Sequence, residues 1–395
     1  VQLAGGYCRK AGGVDISRFT DGRTGRLVPT THGAVAFVPD PLPPRHLALE
    51  PLVQVLSRAT RALGELSGIG RTLPNPYLLI RPFIRKEAAA SSKIEGTVTT
   101  LSQLFLFEAD EQTDQAPSDA REVFNYVRAL EAALKRLEEL PISQRLIRDA
   151  HRILLTGVSA ERGAHVEPGE FRRDQNWIGA RSIASARFVP PPPQEVAGAI
   201  SDLEKYINAE TADVPTLVKM AMVHYQFEAI HPFPDGNGRV GRMLMPLMLY
   251  EARQLSQPLL YLSTYFERNY DAYIDKMFAV SAKGEWTAWI EFFLTGIEET
   301  CLDAIGKARA LQDVLNQYRE KIQTARSSAL LGKVIEMVFE NPAITIPNVA
   351  DRLGISYNAA KNNIARLVEL RILHASDHGR PRIWVARDIV DLINA

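Results

Sequence analysis

From about residue 47 the apolar positions Leu52, Leu56, Ala59, Leu63 and Leu66 recur at steps of three and four, which places them on one face of a helix. Helical patterning persists to about residue 300. Within it, Met220, Val223, Phe227 and Ile230 share a face, and Arg239 to Gln254 is again apolar and helical, with a kink expected at Pro246. One stretch, from Gly169 to Pro193, breaks the pattern. Two short β-prone pieces, Asn176-Trp177-Ile178 and Arg187-Phe188-Val189, flank the turn-forming run from Gly179 to Ser185, which predicts a β-hairpin inside a helical domain.

The ends of the chain differ from its middle. Residues 1–46 are rich in Gly, Thr and Pro and close on Pro39-Asp40-Pro41-Leu42-Pro43-Pro44, which excludes a helix and predicts an extended segment. Towards the other end, Leu311, Val314, Leu315, Tyr318 and Ile322 mark an amphipathic helix, and Ala325 to Ser328 reads as a joint. Helical patterns follow at Leu330 to Phe339, Ile346 to Leu353 and Tyr357 to Leu370, with Gly354-Ile355-Ser356 as the turn between the last two. Ile372-Leu373-His374 and Arg382-Ile383-Trp384-Val385 then flank a hairpin turn at Asp377 to Arg380. Helix, helix-turn-helix and wing is the order of a winged helix. The expected organisation is an extended segment (1–46), a helical region (47–117), a helical core (118–300), a linker helix (301–328) and a winged-helix domain (329–395), so the fold class is mainly α.

Composition narrows the setting more than the function. The 395 residues are 46% apolar and 23% charged, with 46 basic and 46 acidic side chains, so no global charge points to nucleic acid or a membrane surface. Cys8 and Cys301 are too few and too distant for a disulfide framework. No run reaches the roughly eighteen apolar residues of a membrane span, and no basic-then-apolar start resembles a signal peptide. A cytoplasmic protein with no membrane partner is expected.

Chemistry concentrates in His231 to Arg242, which reads His-Pro-Phe-Pro-Asp-Gly-Asn-Gly-Arg-Val-Gly-Arg. Gly236 and Gly238 let the backbone turn tightly and approach an anion, and a helix starting there aims unpaired N–H groups at it. Arg239 and Arg242, three apart, can hold successive phosphates. Asp235 is a hard oxygen ligand suited to a magnesium ion bridging those phosphates. His231 is the group able to exchange a proton near neutral pH. A plain turn would not need two arginines at helical spacing.

This run resembles the signature of the Fic family, His-x-Phe-x-(Asp/Glu)-Gly-Asn-Gly-Arg-x-x-Arg, at His231, Phe233, Asp235, Gly236, Asn237, Gly238, Arg239 and Arg242. The resemblance implies a Fic helical core with a hairpin flap and transfer of a nucleotide-derived phosphoryl group, most often AMP from ATP, to a protein hydroxyl. It implies that His231 is the general base, that Asp235 holds Mg²⁺, that the Gly236-Asn237-Gly238 amides form the anion hole, and that Arg239 and Arg242 grip the leaving phosphates. Phe233 is expected to plug the loop into the core. The flap, at 175–189, would register a target peptide carrying Ser, Thr or Tyr by strand pairing. Phosphotransferring relatives of the Doc type carry Lys at the position of Gly238, so glycine there favours nucleotidyl transfer. A homodimer is a further expectation from the resemblance.

A second segment, Glu87 to Thr97, resembles the family's inhibitory helix, (Ser/Thr)-x-x-x-Glu-(Gly/Asn), at Ser91, Glu95 and Gly96. The resemblance implies that Glu95 pairs with Arg242 and takes the guanidinium that ATP needs. For the nucleotide, Gln226 is placed one turn before the loop, and Asn269 and Tyr270 lie in a segment resembling the family's adenine-side helix. At the C-terminal end, Asn358, Lys361 and Asn362 are candidate contacts to DNA or to a docked protein. Between 329 and 395, eight basic residues face seven acidic ones, a weak footprint for a DNA binder. The leading expectation is therefore a protein adenylyltransferase restrained by Glu95. Its alternatives are a DNA-binding regulator whose Fic domain senses nucleotide, and transfer of another phosphoryl-linked group.

Overall fold

The computed structural model describes residues 15–72, 77–109, 118–158, 167–211, 213–255, 257–324, 329–376 and 382–394. The expected joint at 325–328 and the wing turn at 377–380 lie outside them.

Two paired strands precede the helices. β1 (Gly25–Pro29) and β2 (Val35–Pro39) form an antiparallel hairpin, so the lead-in expected as an extended segment is folded back on itself. Gly33, at φ 72°, takes the left-handed turn conformation that favours glycine. Apolar residues of β2 are buried throughout, which the Gly- and Pro-rich composition around them concealed.

The helical region comprises α1 (Val53–Thr72), α2 (Tyr77–Ile94), α3 (Leu101–Ala109), α4 (Ser118–Arg136) and α5 (Gln144–Leu155). It continues with α6 (Pro193–Asn208), α7 (Thr216–Ile230), α8 (Asn237–Glu251), α9 (Ser263–Arg268) and α10 (Tyr270–Lys283). Of the predicted stripe, Ala59, Leu63 and Leu66 of α1 and Leu52 just before it are buried, and Leu56 is half-buried. By contrast α7 is not amphipathic but buried on all sides, which makes it the axis of the core. It delivers His231 at its C-terminal end, and α8, equally buried, starts six residues later.

No break separates the core from a linker helix near residue 300. A single helix, α11 (Trp286–Thr324), carries one buried stripe from Trp289 through Phe293, Ile297, Ala304, Ala308 and Leu315 to Tyr318. It packs along α1.

The C-terminal residues supply α12 (Ala329–Glu340), β3 (Ala343–Ile344), α13 (Ile346–Leu353), α14 (Tyr357–Glu369), β4 (His374–Ala375), β5 (Trp384–Val385) and α15 (Arg387–Asn394). The strands make an antiparallel sheet in the order β3-β5-β4. Gly354, left-handed at φ 62°, ends α13, and the Ser356 hydroxyl caps α14 by accepting from the Ala359 amide. This unit rests on α2: Arg81 of α2 pairs with Glu340 at 3.0 Å, and Glu340 also binds Arg352. Arg85 of α2 forms a buried pair with Glu108, which accepts a further bond from Asn341. The fold is mainly helical, with small antiparallel pairs at its edges. Among the described residues no helix is long and apolar enough to cross a membrane.

Candidate active site

His231 ends α7 in the left-handed region, at φ 51°, an uncommon conformation for a residue with a side chain. Arg172 holds it there. Its guanidinium donates to the carbonyls of Ile230, His231, Asp174 and Pro191, so one cation caps the C-terminal end of α7 and ties it to the irregular segment that follows the flap.

The loop beyond His231 is braced from inside. Phe233 stacks on His151 with ring centroids 3.8 Å apart, and the Asn237 side chain both accepts from the Phe233 amide at 2.8 Å and donates to its carbonyl at 2.7 Å. Phe233 thus plugs the loop into the core as expected. His151 Nδ1 accepts from the Gly169 amide, so Nε2 carries the proton and donates to the Asp235 carbonyl at 3.0 Å. Gly236 is left-handed at φ 76°, and its amide donates to its neighbour's carboxylate, Asp235 Oδ1, at 2.6 Å. The amides of Asn237 and Gly238 open α8, where helix geometry leaves first-turn donors without intrahelical partners.

Ser91 and Glu95 converge on Arg242. Glu95 Oε1 accepts from Nη2 at 2.6 Å, and Ser91 takes two further bonds, Nε to its hydroxyl and Nη2 to its carbonyl, both at 2.9 Å. Gly96, left-handed at φ 87°, ends the turn that presents Glu95. A side chain on Gly238 would place its Cβ 2.1 Å from Glu95 Oε1. The carboxylate therefore sits directly over the start of α8, where an anion would bind. Burial opposes the charge on Glu95, but the Arg242 charge and hydrogen bond outweigh it and hold its carboxyl below the usual range.

Burial pushes His231 down to about 4, with Arg172 adding to the effect and the Glu95 charge working against it. The imidazole is neutral near pH 7. Its Nδ1 lies 3.3 Å from the Glu228 carbonyl, which can only accept, so Nδ1 holds the proton and the Nε2 lone pair is available.

Two other buried imidazoles share this neutrality: burial lowers His151 to about 4 and His224 to about 3. An unfolded imidazole protonates near pH 6.5. As pH falls below that value the unfolded chain binds protons that the folded chain does not, so stability present at neutral pH is progressively lost towards pH 4. Each of the two contributes about 1.4 kcal/mol per pH unit over this window. The urea midpoint is expected to be lower at pH 5 than at pH 7, with a smaller drop in His224→Gln; equal drops in both proteins would contradict the neutral assignment.

The cavity beside the loop is lined by Glu95, His231, Gly238 and Arg242, by Ile178, Arg187 and Phe188 of the flap, and by Glu228, Tyr270 and Tyr273. Asp235 and Arg239, which are not among its lining residues, lie 3.5 Å apart, with Arg239 also 3.3 Å from Glu122. Of the candidates for the nucleotide, Tyr270 lines the cavity, while Gln226 and Asn269 do not. Gln226 is buried and its amide donates to the Asp40 carbonyl, while the Asn269 amide turns back to the Tyr265 carbonyl at the junction of α9 and α10. The flap is smaller than its sequence predicts, a single antiparallel bridge between Ile178 and Phe188, because Val189 instead accepts from the Phe37 amide of β2. The lead-in hairpin thus braces the flap.

A family model described as Fic/DOC family N-terminal matches residues 53–135, and one described as Fic/DOC family matches 141–249. The chain belongs to the Fic/DOC family. A Fic family protein from Desulfovibrio desulfuricans G20 superposes with a TM-score of 0.53 at 19% identity, covering 87% of this chain and 98% of its own. A Fic domain containing signaling protein from Bacteroides thetaiotaomicron VPI-5482 gives 0.51 at 19% identity over 65% of this chain and 97% of its own. Both establish a shared Fic fold. In sequence, the protein adenylyltransferase Fic of Drosophila virilis is 31% identical over 166 residues, 40% of this chain and 31% of that protein. That of Culex quinquefasciatus is 32% identical over 167 residues, 40% of this chain and 30% of that protein. The chain matches less than a third of the length of these relatives.

The sequence missed three residues of this Fic site: Arg172, His151 and Glu228. The first two act through backbone groups far away in the chain, which leaves no local signal. Glu228 was within reach of the helical period.

Proposed function

We propose that this chain transfers AMP from ATP to a hydroxyl side chain of a target protein, and that Glu95 holds it in check. The observation that carries this reading is the meeting, in one cavity, of a neutral His231 with an available Nε2, the start of α8, and Arg242. The relatives named protein adenylyltransferase support it. In the proposed reaction the target hydroxyl gives its proton to His231 Nε2 while its oxygen bonds to the α-phosphorus. The bond from that phosphorus to the bridging oxygen of the β-phosphate breaks, and pyrophosphate leaves with the bonding pair. The amides of Asn237 and Gly238 stabilise the charge that develops on the α-phosphate, and Arg242 and Arg239 hold the departing phosphates.

Asp235, its side chain 42% exposed, fits a magnesium ion that takes its other ligands from phosphates and water; among the described residues no cluster of three acidic, His or Cys side chains offers a closed metal site. Magnesium would neutralise charge between the α- and β-phosphates. Arg239 sits close enough to Asp235 to hold the carboxylate in place. The edge of the flap would pair with the target segment, and the exposed Trp177 beside it supplies apolar contact. Residues 329–394 are read as a winged helix that docks DNA or a protein through α14, whose Asn358, Lys361 and Asn362 are exposed.

With Glu95 withdrawn, Gly238 would leave the space over α8 open for the α-phosphate, which argues for nucleotidyl rather than phosphoryl transfer. The test is incubation of Glu95→Gly with ATP labelled at either the α- or the γ-phosphorus, in the presence of a cell lysate. Adenylyl transfer places only the α-label on protein. Label arriving from the γ-position instead would establish phosphorylation and overturn the proposal.

A further inference from the structure

Glu228 lies one turn before His231 on α7, and its carboxyl group is not used by the motif. Oε1 is buried without a hydrogen-bond partner among the described residues. It lies so close to α8 that a Cβ on Gly241 would be 2.3 Å away, so glycine at 241 makes room for it. Oε2 lies 3.9 Å from His231 Nδ1, whose proton already points to the backbone carbonyl of this same residue. A buried carboxyl with one oxygen lacking a hydrogen-bond partner is costly, and its persistence inside an active-site cavity calls for a functional reason.

The charges around it are few. Arg242 faces it from α8, Glu95 from the turn after α2, Tyr273 from α10 and His231 from its own helix. His224, one turn earlier on α7, is neutral and bonded to Tyr273 and to the Gly241 carbonyl. Arg172 faces His231, while the flap's Arg187 is paired with Asp275. Burial raises Glu228 to about 7; Arg242 pulls it down and Glu95 pushes it up. In the resting arrangement burial, with the Glu95 charge adding to it, holds Glu228 above the usual carboxylate range.

We propose that Glu228 is a positioning residue for the base: once Glu95 leaves Arg242, the Glu228 carboxylate becomes the counter-charge for the imidazolium that His231 forms on taking the target's proton. The inference rests on the transferase reading above. Without such a counter-charge a buried imidazole is a weak base, because burial disfavours its charged form. Glu95 offsets this only while it blocks the site. Its departure exposes Glu228 to the full charge of Arg242, which favours ionisation, and a carboxylate then stands behind Nδ1 when Nε2 accepts the proton. One movement thus opens the phosphate site and sets up the base.

The test compares Glu95→Gly with Glu95→Gly/Glu228→Gln by ¹⁵N-histidine NMR titration alongside initial rates of α-label transfer. Glutamine keeps the shape of the side chain, so the fold is retained. The His231 midpoint is expected to fall by about one unit in the double variant, as for loss of an opposite charge within 4–6 Å. The kcat for transfer is expected to fall about three- to tenfold with KM for ATP unchanged, and Glu228→Asp to recover part of the midpoint. An unchanged His231 midpoint, or a raised KM with unchanged kcat, overturns the proposal; the second result would make Glu228 a nucleotide contact. The titration needs no turnover. If the midpoint shifts while Glu95→Gly transfers no label, the transferase reading fails and the Glu228–His231 coupling stands.

Discussion

Glu95→Gly is expected to raise kcat/KM for ATP by about ten- to hundredfold, the range of a coupling of 1–3 kcal/mol between sites. Two effects act together. Removing the carboxylate returns the Arg242 Nη2 donor now held at 2.6 Å, and it clears the space over Gly238 that the same oxygen fills. An intramolecular carboxylate is a strong competitor because it is always at hand, in effect at millimolar concentration or above. Arg242 keeps its two bonds to Ser91, so the variant retains an anchor for the buried guanidinium. ATP with magnesium is accordingly expected to raise the melting temperature of the variant more than that of the unaltered protein. Equal ATP affinity and equal transfer in the two proteins would show that Glu95 is no brake.

In that unrestrained background, His231→Ala is expected to lower transfer by about a thousandfold while leaving ATP binding intact. General-base catalysis contributes about 10²- to 10⁴-fold, and here one nitrogen carries all of it. The left-handed backbone, the Arg172 cap and the proton fixed on Nδ1 together leave Nε2 as the accepting atom. Since Arg242, Gly238 and Asp235 are untouched by the substitution, the loss belongs to kcat. Residual transfer above a tenth of the background would mean that the target hydroxyl loses its proton elsewhere.

Much of this site was legible because its residues are contiguous. The loop from His231 to Arg242 carries base, glycines and arginines within three turns of chain, and Ser91, Glu95 and Gly96 form a second compact signature. What escaped depends on how distant elements meet. Arg172 and His151 grip backbone carbonyls and amides, and the hairpin of β1 and β2 meets the flap through the bond from the Phe37 amide to the Val189 carbonyl. Gln226 lies away from the cavity for a different reason. Five residues before His231 is about one turn away in height but about 140° round the helix axis, so its amide meets Asp40. Three residues before is only about 60° off, which is where Glu228 stands. The same helical wheel that excludes one residue selects the other.

The helix that presents Ser91 and Glu95 to Arg242 also supports the C-terminal unit through Arg81, Arg85 and their partners Glu340 and Glu108. A shared rigid element imposes a thermodynamic symmetry. Any ligand of residues 329–394 that favours one placement of α2 over another changes ATP affinity by some factor, and ATP must then change the affinity for that ligand by the same factor. Nucleotide concentration and occupancy of the C-terminal unit would be read by one helix, each reporting on the other.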